Sequence, residues 1–190
     1  IEKIKQAVEK YEPVVVQKDL LEEYTQEAGV LVALYEEQNS LQVILTRRSP
    51  HLSSHAHQVS FPGGHQEKVD KDLWSTALRE AHEETGLDPS LPKKIGELDP
   101  IVTVGSGTLI YPFVALLPHR PELKANSAEV ETIRHVDLAE LLKEETWREE
   151  YWEREERSHA VTFFEIPNET IWGATANILR QLLTLGLGIV

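Results

Sequence analysis

Cysteine and methionine are both absent from the 190 residues of this chain. Without cysteine there is no disulfide scaffold, no thiolate ligand for zinc and no thiol nucleophile. Basic residues are also scarce, since 19 Lys and Arg stand against 32 Asp and Glu, for a formal net charge of −13. This balance argues against a uniform basic surface for nucleic acid and against a polybasic membrane patch. The excess acid is typical of a solvated surface or of a carboxylate-rich site that holds cations.

Long apolar runs are missing as well. No run approaches the ~18 residues of a membrane span, so no membrane partner is expected. Residues 1–10 alternate charged side chains with Ile and Val, unlike a signal peptide. We therefore expect a cytoplasmic protein. No repeat or linker divides the chain, which predicts a single domain over residues 1–190 with a core at about 29–185 and an N-terminal helix at 1–10.

The hydrophobic pattern predicts an α/β fold with a mixed sheet. Strands are predicted at 29–35, 41–46, 59–61, 101–104, 111–117, 132–136 and 161–166, and helices at 1–10, 71–85, 138–143 and 174–185. The first two strands are predicted to form a hairpin. The helix at 71–85 is the clearest, with Asp70 expected as its N-cap and Gly86 as its left-handed C-cap.

This helix carries the acidic residues of most interest. At about 100° per residue, Glu80 and Glu84 are neighbours on a ridge beside the apolar face, while Arg79 and Glu83 lie further round. Like charges this close repel one another, and more strongly when they are desolvated. Arg79 can neutralise one of them, and a divalent cation such as Mg²⁺ can neutralise the rest because it prefers carboxylate oxygens. A solvated acidic face is the alternative interpretation.

Two glycines precede the helix. Gly63 and Gly64 allow backbone to approach a ligand closely, and a carbonyl there can join a metal shell. Glycine-rich turns between a strand and a helix also receive phosphates.

Together these residues resemble the Nudix box, the signature of the Nudix hydrolase family. Gly64 matches its first glycine, and residues 79–87 match its second half, with Ala81 at the aliphatic position. The gap between Gly64 and Arg79 is one residue longer than in the general box, and Asp70 or Asp72 fills the first acidic position. Both departures are similar to the coenzyme A pyrophosphatase branch of the family.

The segment upstream is also similar to that branch. Residues 45–49 (Leu-Thr-Arg-Arg-Ser) and 59–64 (Val-Ser-Phe-Pro-Gly-Gly) match its signature, and residues 171–176 resemble a motif near its end. Two positions differ: Ser53 stands where the signature has Arg, and His57 where it has Gly. The resemblance spans roughly residues 31–183.

The resemblance implies a Nudix fold, an α/β/α sandwich, and hydrolysis of a diphosphate bond with Mg²⁺ or Mn²⁺ as cofactor. It implies metal ligation by Glu80 and Glu84, support from Glu83 and completion of the shell by the Gly64 carbonyl. Arg79 would hold the carboxylates in place with Asp70 or Asp72.

The same resemblance suggests how the substrate is held and attacked. Arg48 is expected to contact substrate phosphate, with Gly63 and Gly64 beside it. The general base is Glu80 or Glu129, and for Glu129 an exposed carboxylate before a strand is an equally good interpretation.

The expected partner is a nucleoside diphosphate derivative. Coenzyme A and its derivatives lead, with 4′-phosphopantetheine and 3′,5′-ADP as products. ADP-ribose, a dinucleotide or a nucleoside triphosphate is the alternative, and a Nudix module that senses a nucleotide without cleaving it is a further one. A homodimer is left open.

Two other groups of residues keep alternatives. Histidines crowd the region before the helix and could form a zinc site, although exposed or phosphate-facing side chains are favoured without cysteine: His51, His55, His57 and His65. Aromatic residues at helical spacing, and one more near the C-terminus, could stack a base or contact a partner subunit, but packing is favoured: Trp147, Tyr151, Trp152 and Trp172.

Overall fold

The computed structural model describes residues 2–16, 26–51, 57–103, 106–154 and 157–188, with residues 154 and 157–159 described by their backbone only. The helices are α1 (Glu2–Lys10), α2 (Leu73–Thr85), α3 (Leu138–Leu141) and α4 (Gly173–Leu187). The strands are β1 (Gln26–Glu37), β2 (Ser40–Arg48), β3 (Val59–Ser60), β4 (Gly63–His65), β5 (Lys93–Glu97), β6 (Ile101–Val102), β7 (Thr108–Leu116), β8 (Val130–Asp137), β9 (Trp147–Arg154), β10 (Arg157–Ile166) and β11 (Glu169–Trp172). Across the described ranges, no helix is long and apolar enough to cross a membrane.

The main sheet is mixed, as predicted. Strands β1 and β2 form the expected antiparallel hairpin, closing at the pair Glu37 and Ser40. Strand β1 also pairs with β7 in parallel, from Gln26 opposite Thr108 to Leu34 opposite Leu116. The central order is β3-β2-β1-β7-β5, with β4 on β1, β6 on β7 and β8 on β2.

Helices cover both faces of this sheet, because side chains on β1 alternate between two apolar clusters. Leu31 is fully buried in one cluster with Ala77 of α2. Val32 is fully buried in the other with Ile4 of α1 and Leu179 of α4. The α/β/α sandwich expected from the sequence is therefore confirmed.

A second sheet of three strands, in the order β11-β10-β9, lies beside the first. A buried ion cluster joins the two sheets. The Glu169 side chain of β11 is 4% exposed and accepts hydrogen bonds from Arg47 of β2 at 3.2 Å and Arg134 of β8 at 2.7 Å. The two arginines offset the cost of burying this carboxylate.

The aromatic residues near the C-terminus differ from the prediction. Residues 147–154 form strand β9 rather than a helical segment, and only Trp147 packs against the core. Tyr151 is 71% exposed, and Trp152 and Trp172 are 47% and 40% exposed with ring centroids 6.3 Å apart. Packing is therefore correct for Trp147 and wrong for Tyr151.

Candidate active site

A pair of glycines lets α2 lie directly on the sheet. Gly29 of β1 and Gly64 of β4 are opposite each other in the antiparallel pairing. A Cβ on Gly29 would lie 2.3 Å from the carbonyl oxygen of Leu73, and a Cβ on Gly64 would lie 2.4 Å from the Glu80 carboxyl carbon. Real Cβ atoms do not approach this closely, so a side chain at position 29 would collide with helix backbone, and one at position 64 would displace the Glu80 carboxylate. The second contact places the Gly64 backbone against a carboxylate, as the metal-site prediction needs.

The N-terminal cap of α2 is Asp72 rather than the predicted Asp70. The Asp72 side chain accepts the Ser75 amide at 2.7 Å, and the helix begins at Leu73 rather than at Lys71. At the other end Gly86, with φ of 68°, donates its amide to the His82 carbonyl as predicted. Asp70 does not cap the helix, because its carboxylate binds Arg79 instead.

Arg79 lies at the centre of the acidic cluster. Its guanidinium donates to both oxygens of Asp70, at 2.9 and 3.0 Å, and to the His65 carbonyl at 3.1 Å. One further nitrogen donates to Glu80 at 2.8 Å and to Glu83 at 3.2 Å. The hydrogen bond from Arg79 holds the pKa of Asp70 well below its usual range. The predicted partnership of Arg79 with Asp70 is thus present.

Glu84 is the most deeply buried carboxylate of the cluster, with 4% of the residue exposed. Burial raises its pKa from 4.5 to about 8, against an opposing hydrogen bond from the Gly63 amide, and the nearby charge of Glu80 raises it further. The Gly63 amide donates to it at 3.2 Å. The fold therefore keeps an acidic side chain in a place that disfavours its charge.

Glu80 lies on the same ridge and is half-buried. Desolvation raises its pKa, the hydrogen bond and charge of Arg79 oppose that effect, and the charges of Glu83 and Glu129 add to it. Glu83 is turned outward, with 50% of its side chain exposed. The predicted positions of all three glutamates around α2 are therefore correct.

The charge balance of this region fits a divalent cation. Among the residues that the structure describes, the carboxylates outnumber the arginines that act on them: Asp70, Glu80, Glu83, Glu84 and Glu129 against Arg79 and Arg48. Hard cations prefer such oxygens, and the close approach of Gly64 to Glu80 leaves its backbone free of an intervening side chain. Glu80, Glu83, Glu84 and the Gly64 carbonyl could hold the ion.

Arg79 binds two of the three glutamates that would bind metal, Glu80 and Glu83. Within the described ranges, no group of three or more His, Asp or Glu side chains is arranged to hold a metal ion. Glu80 and Glu83 share one Arg79 nitrogen instead. The described histidines likewise form no zinc cluster, and His55 lies outside the described residues.

Glu129 approaches the cluster from the loop between β7 and β8. Its charge acts on both Glu80 and Glu84, and its carbonyl accepts the Ser49 amide at 2.8 Å. Sequence reasoning proposed Glu129 as one of two bases, and the structure brings it to the same site.

Arg48 approaches the site from the end of β2. Its charge lowers the pKa of Glu84 against burial, and its buried Nε has no hydrogen-bond partner among the residues that the structure describes. An anion is the natural partner for such a group. Ser53, where the family signature has a second Arg, lies outside the described residues.

His57 explains one departure from the family signature. It has φ of 63°, in the left-handed region where the signature's Gly is at ease. Its amide donates to the Arg48 carbonyl at 3.2 Å, which closes the base of the loop after β2. Its ring lies 3.4 Å from Arg47 and 3.6 Å from Glu131.

Comparison with known proteins gives a consistent result. The sequence model of the NUDIX domain matches residues 25–157. A Photorhabdus laumondii protein named "Uncharacterized Nudix hydrolase NudL" is 41% identical over 140 residues, 74% of each chain. "Nudix hydrolase 22, chloroplastic" of Arabidopsis thaliana is 40% identical over 165 residues, which are 83% of this chain and 54% of that protein.

Two solved structures share the fold. A MutT/nudix family protein from Enterococcus faecalis has a TM-score of 0.58 at 14% identity, covering 96% of this chain and 67% of its own. The NUDIX domain of Shewanella oneidensis NrtR, complexed with ADP ribose, has a TM-score of 0.51 at 20% identity, covering 67% of this chain and 87% of its own.

Proposed function

This chain belongs to the NUDIX domain family, and we propose that it is a metal-dependent hydrolase that cleaves the diphosphate bond of a nucleoside diphosphate derivative. Its relatives at about 40% identity are named Nudix hydrolases. Mg²⁺ or Mn²⁺ is the proposed cofactor. A cytoplasmic location stays a prediction of the sequence.

The observation that carries the proposal is the buried carboxylate of Glu84. A plain surface helix has no reason to bury an acid whose charge is disfavoured by its surroundings. The cost is offset if a divalent cation binds there, with Glu80 as the second carboxylate and Glu83 in support. The presence of all three glutamates also argues against the alternative that the chain is a module that senses a nucleotide without cleaving it.

Each residue then has a definite task in hydrolysis. A bound metal ion supplies charge for the phosphate oxygens and lowers the pKa of a bound water. Arg79, fixed by Asp70, orients Glu80 and Glu83. Arg48, whose charge reaches Glu84 from the end of β2, is the proposed contact for a phosphate, beside the Gly63 amide. Glu129, or alternatively Glu80, accepts the proton of the attacking water.

Coenzyme A or a derivative is the proposed substrate, with 4′-phosphopantetheine and 3′,5′-ADP as products. The support is the match at residues 45–49 and 59–64, with Arg48 acting on Glu84, and His57, at the position of the signature's Gly, has φ of 63°, which glycine adopts easily. Ser53 removes one expected arginine. ADP-ribose, dinucleotides and nucleoside triphosphates are therefore the alternatives.

A substrate panel tests both levels of the proposal. Coenzyme A, acetyl coenzyme A, ADP-ribose, a diadenosine polyphosphate and a nucleoside triphosphate are incubated with the enzyme and Mg²⁺ or Mn²⁺, and products are identified by mass spectrometry. We expect cleavage of coenzyme A and none with chelator. Cleavage of ADP-ribose alone would reject the coenzyme A assignment, and an inactive enzyme on every compound would reject the hydrolase.

A further inference from the structure

The loop between β7 and β8 is bonded to the C-terminal end of the acidic helix. The Lys124 amide donates to the Thr85 carbonyl at 2.8 Å, and the Asn126 amide donates to the Glu84 carbonyl at 2.9 Å. Carbonyls in the last turn of a helix have no partner within it. This loop supplies the hydrogen-bond donors for these carbonyls, so the loop and the end of the helix are tied together.

Asn126 also organises the turn that leads to Glu129. Its carbonyl accepts the amides of Glu129 at 2.9 Å and of Val130 at 2.8 Å. Its side-chain oxygen accepts the Ala128 amide at 3.3 Å. One residue is therefore hydrogen-bonded to Glu84 on one side and to Glu129 on the other.

The far end of the turn is fixed as well. The Glu129 carbonyl accepts the Ser49 amide, which follows Arg48 at the end of β2. Glu129 is thus held between the acidic helix and the strand that carries the candidate phosphate ligand. Its charge reaches Glu80 and Glu84 from this position.

We propose that Asn126 is a positioning residue that holds Glu129 against the C-terminal end of α2, where its charge reaches Glu80 and Glu84. The proposal rests on the proposed function, in which Glu129 accepts a proton from the attacking water. Asparagine suits the position because its side-chain oxygen closes a turn over the following residues, and aspartate closes the same turn. Alanine at this position keeps the backbone hydrogen bonds of Asn126 but cannot make the side-chain hydrogen bond that closes the turn.

The test compares Asn126→Ala, Asn126→Asp and Glu129→Gln, with the double variant of Ala and Gln. Since a misplacement of about 1 Å can cost up to ~100-fold in rate, we expect Asn126→Ala to lower kcat about tenfold with KM nearly unchanged. Asn126→Asp should recover kcat to within about threefold of the wild type. In the Glu129→Gln background, Asn126→Ala should have no further effect. Ser127→Ala, an exposed neighbour in the same turn, is the matched control.

Two results would overturn the proposal. One is wild-type kcat in Asn126→Ala, and the other is full additivity of its loss with that of Glu129→Gln. Hydrogen exchange at the amides of Glu129 and Val130 gives a readout that needs no activity, and it should be faster in Asn126→Ala than in Asn126→Asp. If the wild type cleaves nothing, the hydrolase fails while this exchange still decides the positioning role.

Discussion

Glu84 gives the sharpest test, because its replacement should improve the fold and abolish the activity. Burial raises its pKa from 4.5 to about 8 in the metal-free protein. A group whose pKa is raised on folding contributes stability at low pH, and that contribution is lost as pH rises through the folded value. The metal-free protein should therefore lose stability between about pH 4.5 and pH 8.

The size of the effect follows from the same values. At about 1.4 kcal/mol for each pKa unit, keeping Glu84 in the metal-free fold costs about 4 kcal/mol near pH 7.5. Glu84→Gln removes this cost and can still accept the Gly63 amide. Its new amide group costs about 1–2 kcal/mol where it lacks a partner. A net gain of about 2 kcal/mol remains, or about 4–8 °C in Tm for a chain of this size.

The assay combines thermal unfolding with turnover. In chelator, Glu84→Gln should have a higher Tm than the wild type near neutral pH, and the difference should vanish near pH 5. Added Mg²⁺ should raise the Tm of the wild type and leave that of the variant almost unchanged. The variant should lose most of kcat. Glu83→Gln, with half of its side chain exposed, is the control and should change the metal-free Tm little.

A Glu84→Gln protein that is less stable than the wild type in chelator at every pH would refute the electrostatic argument. Near-wild-type turnover in this variant would refute the metal assignment.

Changes at four further positions test the supports of the site. Gly64→Ala, whose new methyl group would overlap the Glu80 carboxylate, should lower kcat at least about tenfold with a small loss in Tm. Gly29→Ala is its matched contrast and should destabilise the fold by at least about 2 kcal/mol, because its clash is with helix backbone. Asp70→Ala frees the arginine beside it, so it should lower both kcat and the free energy of unfolding at neutral pH. The loss of stability should be constant down to about pH 4 and shrink only below it, because the pKa of Asp70 is depressed in the fold. His57→Gly should have a free energy of unfolding about 1 kcal/mol higher than that of His57→Ala, and a higher Tm, because φ of 63° favours glycine.

Each of these expectations has a clear counter-result. Equal kinetics for Gly64→Ala and the wild type would mean that the Glu80 carboxylate has room to move. A Gly29→Ala protein with wild-type Tm would show that α2 and β1 can move apart with little loss of stability. Unchanged kcat in Asp70→Ala would remove the orienting role of its ion pair, and equal Tm values for the two His57 variants would remove the backbone strain.

Strong periodicity explains what the sequence could predict. The hairpin of β1 and β2 is a nearly unbroken apolar pattern around a polar turn, and α2 repeats its apolar residues at helical spacing. The same spacing placed Glu80 and Glu84 on one ridge, and it placed Glu83 outward. These features depend on neighbours within a few residues, so one sequence is sufficient to find them.

Other elements depend on distant contacts and were missed. Strand β5 contains one buried residue, Ile95, in a polar segment, and β11 is four residues long. Strand β9 is not predicted from the sequence, because its aromatic and charged residues lie on an edge strand without a clean alternation.

The site, like the fold, combines features that the local sequence predicts with features that depend on distant contacts. The sequence predicts Asp70 as the helix cap, whereas Asp72 caps the helix because Asp70 binds Arg79, nine residues away. Asn126 meets Glu84 only through the tertiary fold, although a short Asn-Ser-Ala turn is a signal that could have drawn attention to it. Glu169 joins residues of three strands that no local pattern connects.

The parallel pairing of β1 with β7 also determines when the site can form during folding. Residues of β1 meet partners about 80 positions later, whereas the β1–β2 hairpin closes within the first strands. Contacts of such long separation form late because closing the loop between them is entropically costly. Helix α2 lies within that loop, and the turn with Asn126 follows β7. We therefore expect the hairpin to form early, and the turn that carries Asn126 and Glu129 to join the carboxylates of α2 late in folding.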